Sequence, residues 1–166
     1  MRSSSTSSRA RRTAIAIAVP ALTLTGVVAG VATPASAATT KCSSEQYIYL
    51  DGGRSWVGMQ PCVQKDGNYR KAWIRVRWFY DYRGTKWDGF DILATLERND
   101  VIKTSKHCDF TDKLNATTIG DIKCTTATLY STTAGGWTAD GEGAYNFNLD
   151  GRGYYTKALT GSPKVS

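Results

Sequence analysis

The chain contains a single histidine, His107, and that scarcity excludes most imidazole chemistry at the outset. A hydrolytic triad places one imidazole between a nucleophile and an orienting acid. Here the imidazole adjoins Cys108, and no Gly-x-Ser-x-Gly elbow accompanies it. His107 is therefore expected at a strand end or on the surface. Cys-x-x-Cys units are also lacking, so a structural zinc site has no ligand pairs to build from. No metal and no cofactor are expected. After residue 37 no stretch carries the apolar period of an amphipathic helix, no repeat is visible, and no low-complexity linker divides the chain.

The first 37 residues have the three parts of a secretion signal. Arg2, Arg9, Arg11 and Arg12 lie in a polar start, Ala14 to Val31 is apolar, and Pro34-Ala35-Ser36-Ala37 offers a small-residue cleavage site. Pro20, Gly26 and Gly30 interrupt the apolar run, which favours a cleaved leader over a membrane anchor. The general secretion route is expected, because Thr13-Ala14 lacks the apolar pair usual behind a twin-arginine signal. Its Arg, Ser and Ala richness resembles the leaders of Gram-positive bacteria. Cleavage after Ala37 leaves residues 38–166 as one domain outside the cell, with no transmembrane anchor.

What remains is aromatic and only mildly charged. All five Trp, nine Tyr and four Phe lie beyond the leader. Four of the 21 basic residues fall within it and none of the 14 acids does, so the mature chain carries +3 and no nucleic-acid signature. Cys42, Cys62, Cys108 and Cys124 also survive processing, and an even count in an exported chain predicts two disulfides. The expected pairing is Cys42 with Cys62 and Cys108 with Cys124, each closing a short segment that contains turn residues.

Alternation of apolar and polar residues predicts about eight strands. The longest run, Tyr69 to Arg83, puts Ala72, Ile74, Val76, Trp78, Tyr80 and Tyr82 on one face. Its other face carries Lys71, Trp73, Arg75, Arg77, Phe79, Asp81 and Arg83. Glu45 to Leu50 and Ser55 to Gln64 precede it as a meander, with Pro61 predicting an edge or a bend. Beyond it come a loop at residues 84–89 carrying Trp87, a hairpin turning at Asn99-Asp100, and a loop from Asp109 to Gly120. A Thr-rich strand to Tyr130, a strand from Ala144, a last strand from Tyr154 to Thr160 and an extended tail follow. The sum is an all-β chain, an antiparallel two-sheet β-sandwich of immunoglobulin-like architecture. Its cysteines do not show the antibody-domain arrangement, so the likeness is to architecture alone.

Trp73, Arg75, Arg77 and Phe79, with Trp87 from the following loop, are the candidate binding residues. Such a face is able to stack sugars, to anchor another protein, or simply to lie beneath its own loops. A protein partner, met as a subunit, adaptor or inhibitor of secreted proteins, is the first expectation. A cell-surface or extracellular polysaccharide comes second, because no concave aromatic platform is evident. A small hydrolase using Asp88, Asp91, Asp140 or Glu142 comes third, since paired carboxylates need a defined separation that spacing alone does not supply. Asp140-Gly141-Glu142-Gly143 lacks EF-hand spacing and is expected to be a turn, and Asn115-Ala116-Thr117 is a formal glycosylation sequon.

Overall fold

A computed structural model describes residues 37–81, 86–147 and 151–166. The expected leader, apart from Ala37, lies outside them, as do Tyr82 and Arg83 of the longest run. All the described residues fall within one compact unit.

In chain order the strands are β1 (Thr39–Cys42), β2 (Gln46–Leu50), β3 (Ser55–Asp66), β4 (Tyr69–Phe79), β5 (Trp87–Arg98) and β6 (Val101–Asp109). A short helix, α1 (Thr111–Ala116), separates these from β7 (Ile119–Thr125), β8 (Leu129–Tyr130), β9 (Trp137–Phe147) and β10 (Tyr155–Ala158). One antiparallel sheet runs β1-β3-β4-β7, with β2 also on β3 and β8 also on β4; the other runs β10-β9-β5-β6. The chain is thus mostly β, in two antiparallel sheets.

The alternation in β4 sorts its side chains as expected. Ala72, Ile74, Val76 and Trp78 are buried, Tyr80 just beyond them is too, and the residues between them are not. From the other sheet Phe90, Ile92 and Ala94 enter the same core. Leu96, Ala139 and Trp137 join Val63 and Ala72 in a second cluster. Trp78 fits because its cross-strand partner is Gly120, where a Cβ would stand 2.0 Å from the indole. Its Nε1–H donates to the Thr117 carbonyl at 3.0 Å.

Pro61 lies inside β3 without breaking it. Its carbonyl accepts from Ser43 N at 3.0 Å, so its missing N–H faces the same side, the gap where β1 ends and β2 has not begun. The Asn99-Asp100 turn is also as expected, with φ of 51° and 62°, the pair of positive values a type I′ hairpin requires.

Several expectations need correction. The segment from Asp109 to Gly120 is not all loop. Leu114 is buried in the core, and Asn115 exchanges two hydrogen bonds of 2.9 Å with the backbone N and O of Trp87, which together hold one helical turn in place. That engagement also occupies the sequon amide. The Thr-rich strand breaks after Thr125, where the buried Thr126 turns its hydroxyl onto the backbone of Ala72, and pairing resumes only at Leu129. Asp140-Gly141-Glu142-Gly143 is no turn but the middle of β9, and a Cβ on Gly143 would stand 2.7 Å from Met59 Sδ. The extended tail, for its part, packs on β9. Ser162 N and Val165 N donate to Ala139 and Trp137 of β9, and Val165 is only 1% exposed.

Both disulfides form with the expected pairing. Cys42–Cys62 joins directly opposed residues of β1 and β3. Cys108–Cys124 has a Cα separation of 5.8 Å and ties β6 to β7, the neighbouring edge strands of the two sheets. Along the opposite side the Gln46 carboxamide donates to the Thr160 carbonyl at 3.1 Å and accepts from Thr160 N at 2.8 Å. Replacing Cys108 and Cys124 together by serine is expected to lower unfolding stability by about 3 kcal/mol, the loop-closure value for such a short loop. Urea titration of the double variant checks this, and an unchanged midpoint contradicts it.

Candidate binding face

The outer face of the first sheet gathers side chains from four adjoining strands. Register puts Tyr49, Trp56, Phe79 and Ile119 in one row across β2, β3, β4 and β7. Tyr49 is 65% exposed, Phe79 38% and Ile119 69%. Tyr47 lies beside them, stacked on Tyr49 and edge-on to Trp56 with ring centroids 5.5 Å apart and planes at 82°.

The next rows carry charge, and it is largely spent internally. Arg77 donates from Nε to Glu45 at 2.8 Å and pairs through Nη2 with the same carboxylate, while Tyr47 OH donates to Glu45 at 2.5 Å. Gly58 opposes Arg77 and makes room for this group, since a Cβ there would stand 2.6 Å from Glu45 Oε1. Arg75 forms the corresponding fork with Asp121, its Nε at 2.9 Å from Oδ1 and its Nη2 on Oδ2. Bidentate pairing of this kind fixes planar geometry and leaves less of each cation for an outside anion. Trp73 is half-buried on the same face opposite Cys62, with Lys123 Nζ 5.3 Å from its ring centroid. The cation over this ring thus comes from Lys123 of β7.

Arg77's hydrogen bond, assisted by Tyr47 and opposed by burial, holds Glu45 below its ordinary 4.5. Arg75 likewise holds Asp121 below 3.8. Carboxylates depressed in the folded state stabilise it fully above their unfolded pKa values, and that contribution is lost as pH falls through the folded ones. Unfolding stability is therefore expected to drop as pH falls below 4.5. Glu45→Gln with Asp121→Asn should flatten that slope in urea titrations; an identical acid profile would assign the dependence elsewhere.

Of the five expected binding residues, Trp73, Arg75, Arg77 and Phe79 share this face, and Trp87 does not. Trp87 begins β5, is 2% exposed and donates from Nε1 to Tyr80 OH at 2.7 Å. It belongs to the core between the sheets, so it is withdrawn from the candidate set. Glu45, Tyr47, Tyr49, Trp56, Ile119, Asp121 and Lys123 join them there. The alternation of Tyr47 and Tyr49 was a visible signal; the others depend on strand register, which no local pattern encodes.

The carboxylates proposed for hydrolysis lie elsewhere. Asp91, Asp140 and Glu142 are on the outer face of the second sheet by register, and Asp88 is exposed where β5 bulges against β9. His107, on the same face, stands 3.3 Å from Asp91 Oδ1. Asp140 accepts from Gly141 N at 2.7 Å. Among the described residues no group of three His, Cys, Asp or Glu side chains is placed to hold a metal ion, and no helix is long and apolar enough to cross a membrane. Comparison with protein-family models, with curated proteins and with solved structures finds no match.

Proposed function

We propose that the protein is a non-catalytic binding module that acts outside the cell and docks another protein on the outer face of its first sheet. The observation that carries this reading is the row Tyr49, Trp56, Phe79 and Ile119, in register across four strands and exposed at all but the half-buried Trp56. Large rings and aliphatic side chains beside arginines are the composition of protein interfaces. The internally paired Arg75 and Arg77 give the neighbouring rows fixed geometry and little free charge, which suits a protein partner better than a phosphate backbone.

Polysaccharide is the second reading, and ring orientation weighs against it. A sugar platform presents ring faces side by side, whereas Tyr47 and Trp56 stand edge to face and Ile119 supplies no ring. For the scaffold we retain an immunoglobulin-like architecture, supported by inward alternation on both sheets and by a cystine linking them, although it joins edge strands. The two disulfides suit an oxidising compartment and, with the leader-like first 37 residues of the sequence, support an extracellular role. The direct test is capture of a binding protein from culture supernatant on immobilised wild-type protein but not on a variant with the row removed. Equal capture by both sinks the reading.

A further inference from the structure

We propose that the depression at the hairpin end of the same face is a seat for one carboxylate side chain of the docked protein; this deepens the protein-docking reading and rests on it. The depression has a volume of about 330 Å³ and is lined by Gln64, Asp66, Tyr69, Arg70, Lys71 and Thr128. Tyr69 is exposed and edge-on to Tyr130, with centroids 5.6 Å apart, and the pair stands beside the hairpin turn at Gly67.

Its basis is a buried cation without a counter-ion. Arg70 is 2% exposed. Its Nη1 donates to the carbonyls of Gly67 and Tyr69 at 2.7 and 2.9 Å, while its buried Nε has no partner. Among the described residues neither Arg70 nor Lys71 forms an ion pair, in contrast to Arg75 and Arg77 further along β4. A guanidinium held out of water is costly unless an anion compensates it, and burial accordingly pushes the Arg70 pKa down.

Charge selects the ligand. Arg70 and Lys71 supply two positive charges and Asp66 one negative, so the lining carries a net single positive charge. A monoanion neutralises that charge, whereas a dianion would leave one negative charge unmatched beside Asp66. Gln64 and Thr128 add an amide and a hydroxyl able to donate to carboxylate oxygens. Position selects the source. Tyr69 and Phe79 share the outer face at opposite ends of β4, roughly 33 Å apart at the usual strand rise. A protein seated on the apolar row is of a size to reach the depression with an acidic side chain.

The test has two arms. In the first, isotope-labelled protein is titrated at low salt with acetate, inorganic phosphate and galacturonate, following backbone amide shifts. Acetate should saturate shifts at Gln64, Lys71 and Thr128. Lys71→Glu should weaken that binding about tenfold and Asp66→Asn should strengthen it severalfold, as expected for charges in direct reach. These partly exposed positions are used because replacing Arg70 would also release the hairpin. Absence of saturable acetate shifts there, tighter binding of phosphate, or indifference to Lys71→Glu overturns the seat. Galacturonate saturating at tenfold lower concentration than acetate would make the occupant a sugar acid and overturn the protein side chain.

In the second arm the captured partner is titrated against Lys71→Glu, with about tenfold weaker binding expected. Unchanged partner affinity, with acetate binding abolished, would remove the seat from the interface. It would leave docking on the apolar row standing, and that is judged separately by the row variant.

Discussion

Trp87→Ala is expected to lower unfolding stability by about 3 to 5 kcal/mol, the loss typical of a large buried ring. The indole is wedged among Phe90, Tyr145 and Phe147, with centroids 5.0, 6.0 and 4.1 Å away. Each of those partners would line the cavity left behind. The variant also strands the Tyr80 hydroxyl, which burial already pushes towards a higher pKa. Trp87→Phe separates the two effects, since it retains a ring but removes the donor, and should cost about 1 to 3 kcal/mol. In the Tyr80→Phe background the cost of Trp87→Phe should shrink, because the two groups act as one pair. Against a total of about 5 to 15 kcal/mol for a domain, the alanine variant is close to unfolding. Urea titration reads all three, and a loss below about 1 kcal/mol for Trp87→Ala would show that the ring is not a core element.

The second large effect concerns binding. A variant combining Tyr49→Ala, Phe79→Ala and Ile119→Ser should lose more than about thirtyfold in affinity for the captured partner, a single central anchor being commonly worth 2 kcal/mol or more. Its stability should change little at Tyr49 and Ile119, which are mostly solvated, and somewhat more at Phe79. Surface substitutions of this kind usually stay within about 0.5 kcal/mol each. Trp73→Ala is the control, lying two rows beyond the Arg77 row and flanked by Lys123. Should Trp73→Ala abolish retention on a polysaccharide while the row variant still binds protein normally, the face is a sugar site and the protein reading is lost.

The inward face of β4 was legible because a residue's side is fixed by parity alone, and Ala72 through Tyr80 keep strict parity. Disulfide pairing was legible for a related reason, since short separations leave few ways to close. Trp87 was not, because its placement is decided by Asn115, 28 residues away, and by Phe147 across the sheet. Val165 gave no signal at all: one valine between Lys164 and Ser166 has no period, yet its burial follows from Trp137. The candidate face was half legible. Phe79 and the arginines declared themselves by alternation, but the neutralisation of Arg77 by Glu45 spans 32 residues and arises only once β2 and β4 flank β3.

The two sheets are fastened at opposite sides by unlike means, a covalent cystine between β6 and β7 and, between the first sheet and the segment after β10, hydrogen bonds from the Gln46 amide and from Lys65 to the Ser166 carbonyl. Such a molecule has a spine and a clasp. Transient opening should begin at the clasp, since hydrogen bonds at exposed sites yield far sooner than a cystine. A partner that gripped both Tyr49 and the segment after β10 would hold the book shut, while one seated over Ile119 would leave the pages free to part.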